Sequence, residues 1–292
     1  MSHGFESVWA IDWSGARGGY RGVAVARARA GTPIVETVPP PIGLAHWSRT
    51  ALVARLRAEI ARGERLLLGF DFAFGFARHS RAALGLAPQW SLREVWAEVE
   101  RRCAADRDLY GGAFADTAAA GTYWRSGRRP EGWDEGLRRV DLRARAAAGV
   151  RPESVLKLVG AKQVGLASLA GMRALHALSA AVGPRLAVWP GAPDASDRSV
   201  VVEIFPTLFR REALDGTGKI RDAATLVRAL GRWQARVAAD DPAYGASALS
   251  DDLTDALVSA AALRHLAQAP DALAEPRDPD AAHEGWIFGV PS

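Results

Sequence analysis

The stretch that most constrains this chain is Val8-Trp9-Ala10-Ile11-Asp12-Trp13-Ser14-Gly15-Ala16, an early apolar run of strand-forming residues with one carboxylate inside it. A strand this apolar has both faces covered, which puts it at the centre of a sheet rather than at an edge. Asp12 is then the anomaly. A carboxylate taken out of water costs several kcal/mol unless it is paired or binds a cation.

The residues that follow supply a layered order. Gly15, Gly18 and Gly19 mark a turn, Tyr20 to Arg29 alternates as a second strand, and Ile34 to Val38 reads as a third, stopped by Pro39-Pro40-Pro41. Ser48 caps a helix to about Arg62 with Leu52, Val53, Leu56 and Ile60 on one face. Leu66-Leu67-Leu68-Gly69-Phe70-Asp71 is another buried-type strand closed by a carboxylate, so the chain opens β-β-β-α-β with acids ending the first and fourth strands. Ser91-Leu92-Arg93-Glu94 is a capping box for a helix to about Ala104. Periodicity then fades, and residues 105–155 read as a large, partly helical, basic insertion. Leu166 to Ala181 regains helical spacing. Leu186–Trp189 and Val200–Phe205 read as strands, and 207–213 and 222–238 as helices. A last helix runs from Asp251 to about Ala267, and Trp286–Val290 closes the chain as a strand. The expectation is one α/β domain over 1–292, a mixed sheet flanked by helices.

Composition removes some chemistries. Cys103 is the only cysteine, so neither an internal disulfide nor a cysteine-based zinc site is available. No secretory signal and no apolar stretch long enough to cross a bilayer is found, so a cytoplasmic location is expected. The formal charge is +4, and Tyr123 to Lys157 carries all of that excess, with nine basic residues against five acidic ones. Within it, Tyr123-Trp124-Arg125-Ser126-Gly127-Arg128-Arg129 mixes aromatics with cations as nucleic-acid contacts do. Arg125, Arg128, Arg129, Lys157 and Lys162 are candidate phosphate contacts, the two lysines from charge alone. A solvated loop of a basic protein is the plainer reading.

Four acidic positions share one context. Asp12, Asp71 and Glu203 lie in apolar strands, and Asp251-Asp252-Leu253-Thr254-Asp255-Ala256 opens a helix with Leu253, Ala256, Leu257, Ala260 and Leu263 as its stripe. At about 100° per residue, Asp252 falls on the edge of that stripe and Asp255 lies one row further round. Asp251 points away. Clustered carboxylates need a counter-charge, and Mg²⁺ or Mn²⁺ prefers such oxygen ligands. Two such ions about 4 Å apart stabilise both oxygens of a phosphodiester displacement.

These segments resemble the RNase H-like superfamily, including RuvC-type resolvases, and more narrowly a domain-of-unknown-function family of predicted RNase H-like nucleases. The residues that carry the resemblance are Ile11-Asp12-Trp13-Ser14-Gly15-Ala16, Gly69-Phe70-Asp71-Phe72-Ala73-Phe74-Gly75, Val202-Glu203-Ile204-Phe205-Pro206 and Asp251–Ala256. The resemblance implies a metal-dependent nuclease, a hydrolase acting on DNA or RNA. It implies Asp12, Asp71, Asp252 and Asp255 as ligands of Mg²⁺ or Mn²⁺, with Glu203 participating. One departure is the roughly 180 residues between Asp71 and Asp252, a longer route than in RNase H itself.

Each acid also has a plainer reading. Asp12 could turn a hairpin, Asp71 could form an Asx-turn, Asp251 and Asp252 could serve the helix dipole, and Glu203 could pair with an arginine of the insertion. Two other functions fit the same order. One is a non-catalytic binding or scaffold protein whose carboxylates hold salt bridges. The other is an actin-like phosphotransferase, which would want a second Gly-rich phosphate hairpin before the last helix, and none is found. Asp215-Gly216-Thr217-Gly218-Lys219 only superficially resembles a P-loop end, because no Ser or Thr follows Lys219.

Overall fold

All six residues of β1 (Ser7–Asp12) are buried, as a central strand requires. The computed structural model describes residues 4–18, 22–160, 163–191, 197–216, 218–244 and 246–292. After β1 come β2 (Ala24–Arg29), β3 (Ile34–Thr37), α1 (Arg49–Ala61), β4 (Leu66–Phe70), α2 (Leu92–Cys103), α3 (Gly112–Asp116), α4 (Arg139–Arg143) and α5 (Val164–Val182). The second half runs β5 (Leu186–Val188), β6 (Ser199–Glu203), α6 (Pro206–Leu214), α7 (Ala223–Arg232), β7 (Arg236–Val237), α8 (Asp251–Leu266) and α9 (Ala281–Glu284). The fold is α/β, with a mixed seven-stranded sheet in the order β5-β6-β4-β1-β2-β3-β7. β1 pairs antiparallel with β2 and parallel with β4, and β4 pairs parallel with β6.

The period-2 alternation of the strands builds two apolar layers. Trp9, Ile11, Leu68 and Phe70 face one side, where α1, α2 and α5 pack with Leu52, Trp96 and Leu175. Val8, Ala10, Ala26, Ala28 and Leu67 face the other, against α8 with Ala256, Leu257 and Ala260, and α6 packs behind α8. Small residues on both surfaces bring α8 close to the sheet. A methyl group at Gly69 would lie 2.5 Å from the Leu263 Cδ1 and 2.8 Å from the Ile204 Cγ2. Gly69→Ala is therefore expected to cost about 1–3 kcal/mol, a drop of several degrees in Tm by differential scanning fluorimetry. An unchanged Tm would show that α8 tolerates displacement.

Several elements differ from the sequence reading. β1 ends at Asp12 and gives way to a loop before Gly15, whose added Cβ would meet the α5 backbone at 2.2 Å. The second strand starts at Ala24 rather than Tyr20, and Tyr20 lies outside the described residues. The helix expected over 222–238 stops at Arg232. Gln234 takes φ +52°, the Ala235 N–H donates to the Leu230 carbonyl at 2.9 Å, and the chain turns into β7, which pairs with β3. Trp286–Val290 is not a full strand. It makes one parallel bridge, Glu203 with Ile287, before Gly289 at φ +90° turns it away. α8 lacks the one-sided stripe expected of it, since Thr254 to Leu263 is buried all round between the sheet and α6. Residues 105–155 are partly helical, through α3 and α4.

By length and composition one helix, Val164–Arg185, is long and apolar enough to cross a membrane, against the expectation of none. Its apolar residues pack on α1 and α2, and its Arg173 is buried against Glu100, with Nε to Oε2 at 2.6 Å.

Candidate functional site

The parallel pairing of β1 with β4 sets two carboxylates side by side. Asp12 ends β1, and Asp71 follows β4, donating its backbone N–H to the Ile11 carbonyl at 3.0 Å. β6 lies on the other side of β4, so Glu203, paired in register with Phe70, ends a third strand at the same edge. The carboxyl ends of parallel strands are where open α/β sheets form their clefts. α8 crosses the opposite layer with its N-terminus at this edge, capped by Ser250, whose Oγ accepts the Leu253 N–H at 3.2 Å. Asp12, Asp71, Glu203, Asp252 and Asp255 thus line one cleft of about 920 Å³.

Within the cleft the five acids divide into two sets. Asp12, 8% exposed, lies beside Asp71 and Asp252, both of which are partly exposed to the cleft. Burial pushes Asp12 well above the usual carboxylate range, and the charges of Asp71, Asp255 and Asp252 push the same way. Burial likewise lifts Asp71 to about 7, with Asp255 adding to the rise and Arg210 opposing it. Asp252 is raised too, chiefly by burial. Among the described residues no basic side chain forms an ion pair with any of these three.

Asp255 and Glu203 are each held by a base of their own. The Asp255 Oδ1 accepts from Arg210 on α6, and the Lys219 Nζ stands 3.5 Å from its Oδ2. Arg210 also donates to the Thr207 Oγ1 at 3.1 Å. Glu203 accepts from Arg138 through both oxygens, at 2.6 and 2.7 Å, and from the Phe74 backbone N–H at 2.9 Å. Arg138 in turn bonds the Asp141 Oδ1 at 3.0 Å. The plainer reading of Glu203, pairing with an arginine from 105–155, describes its ion pair, and burial still raises its pKa against that partner. Asp251 points away from the three, pairing with Arg221 at 2.9 Å and Lys219 at 3.5 Å.

The donor set suits a hard cation, being oxygen only, with three carboxylates that have no basic ion-pair partner among the described residues. Among the described residues no three His, Cys, Asp or Glu side chains already stand as a finished cage.

The candidate phosphate contacts lie elsewhere. Arg125 pairs with Asp116 at 2.7 Å, Arg129 with Glu135 at 2.7 Å, and Lys157 with Glu153 at 2.8 Å, while Arg128 is exposed. None of these four lines the carboxylate cleft, and Lys162 lies outside the described residues. The cations that do line it include Arg138, Arg210 and Lys219, none of which the sequence reading selects. Arg210 has only a weak signal, the first charge after Leu208-Phe209, with Arg211 and Glu212 next to it. Lys219 lies in the segment that only superficially resembles a P-loop end.

No family model matches the chain, and no curated protein or solved structure is significantly similar to it.

Proposed function

We propose that the chain is a metal-dependent nuclease of RNase H-like type that hydrolyses phosphodiester bonds with Mg²⁺ or Mn²⁺. One observation carries the reading. Three carboxylates from β1, the residue after β4, and the start of α8 share a cleft, each pushed up by burial and none ion-paired to a base among the described residues. The strand order β3-β2-β1-β4, with β2 antiparallel and β4 parallel to β1, further supports the RNase H-like assignment.

Asp12, Asp71 and Asp252 would hold the ion, which when bound supplies charge neutralisation to the phosphate and acidity to a water. In the hydrolysis the water oxygen bonds to phosphorus, the ester P–O bond breaks, and one water proton ends on the departing oxygen. Arg210 holds Asp255 in place. Lys219, 44% exposed, is a cleft cation able to turn toward a phosphate oxygen. Glu203, with both oxygens committed to Arg138, braces the floor.

The scaffold reading draws support from the same two arginine pairs, since it expects acids neutralised by bases. Incubating purified protein with single- and double-stranded DNA and RNA separates the two. Cleavage in millimolar Mn²⁺ that EDTA stops is the expected result. No cleavage of any of them, and no Mn²⁺ binding by calorimetry, would leave the scaffold reading.

A further inference from the structure

We propose that a second cavity, beside the carboxylate cleft, is a binding subsite for an unpaired nucleotide of a single-stranded nucleic acid. The cavity has a volume of about 580 Å³ and is walled by Trp124, Trp133, Arg129, Arg145, Arg151 and Lys157. The inference deepens the nuclease reading and rests on it for the direction of the strand's path, though not for the binding itself.

Three features combine. The first is continuity, because Arg151, Pro152 and Glu153 line both the cavity and the cleft, so the two share one wall. The second is charge. Among the described residues the cleft is lined by seven carboxylates against four cations, a surface that repels a polyanion, whereas the cavity has four cations against two carboxylates. A nucleic acid brought to the acids therefore needs its anchor outside them, and the adjoining cavity is where net positive charge lies. Arg151 is exposed and forms no ion pair among the described residues, so its charge is uncommitted.

The third is the pair of indoles. Trp124 and Trp133 meet edge to face with centroids 5.7 Å apart. Trp124 is pinned by backbone bonds to 156–158, its N–H donating to the Leu156 carbonyl at 3.0 Å and its carbonyl accepting from Leu158 at 2.9 Å. Lys157 sits over Trp124 and Arg129 over Trp133, 5.4 Å from each centroid. Trp133 is buried and braces Trp124, which is half-buried and offers its ring to a base while the neighbouring cations neutralise the phosphate. A duplex hides its base faces inside its own stack, so the concave cavity favours a single strand.

The test uses a short fluorescein-labelled oligothymidylate, with binding followed by anisotropy in EDTA so that no cleavage intrudes. Wild-type protein is expected to bind it more tightly than a duplex of equal length and to show quenched tryptophan fluorescence. Arg151→Glu is expected to weaken binding about tenfold, and to flatten the salt dependence of log affinity by about 0.7 for each phosphate that is no longer neutralised. Arg228→Glu, exposed on α7 and lining neither the cavity nor the cleft, is expected to bind as wild type does. Equal affinity for wild type and Arg151→Glu, duplex binding as tight as single-strand binding, or no binding at all would overturn the proposal. Cleavage is scored separately. Arg151-dependent binding without cleavage removes the nuclease reading and keeps the subsite, and cleavage untouched by Arg151→Glu does the reverse.

Discussion

Asp12→Asn is expected to lower Mn²⁺-dependent cleavage by on the order of 10³-fold or more, while the protein remains folded and becomes more heat-stable at pH 8. The two effects have one cause. Asp12 is the buried member of the three carboxylates and feels the charge of both of the others, so it is at once the centre of any ion site and the centre of the repulsion. An amide removes a charge that burial penalises and still offers an N–H to its neighbours. A gain of about 2–6 °C in Tm, with activity lost, separates this from ordinary misfolding. Activity within twofold of wild type would remove Asp12 from the site, and a lower Tm with lost activity would mean that its role is structural.

The second large effect is a stability that depends on pH in the direction opposite to that of an ordinary salt-bridged acid. Asp71 titrates near 7 in the folded protein against 3.8 for the free side chain, so the folded state binds more protons across that window. A raised carboxylate stabilises fully below the unfolded value and loses that contribution as pH rises through the folded one. Metal-free protein is therefore expected to lose about 2–4 kcal/mol between pH 4 and pH 8, seen as a falling Tm in EDTA. Mn²⁺ is expected to restore it at pH 8 and to do little at pH 5, where the proton competes for the same oxygens. A Tm in EDTA that is flat from pH 5 to 8, or a Mn²⁺ effect equal at both, would be incompatible with raised carboxylates in this cleft.

The meeting of Asp12 and Asp71 was legible because two apolar strands each closed on a carboxylate, and parallel neighbours end at one edge. Asp252 was legible from its place in the first turn of an apolar helix. The partner of Asp255 was not, and that of Glu203 was legible only as some arginine of 105–155. Arg210 lies 45 residues before Asp255, and Arg138 lies 65 before Glu203, so neither pair leaves a local pattern. β7 escaped notice because two residues carry no alternation, and the end of α7 is set by a left-handed Gln234 rather than by glycine. The full burial of α8 was hidden by its alanines, which fit equally on a sheet face or a helix face.

The tight seating of α8 over Gly69 gives the fold a lever. The missing methyl lies inside the sheet, while Asp252 rides on the far end of the same rod. Bulk introduced under the helix would tilt that end away from Asp12 and Asp71 without altering any acid. Under the proposed function, ion affinity would thus depend partly on the smallest side chains of the interior, and a chemically silent substitution there would read out as a lost cation.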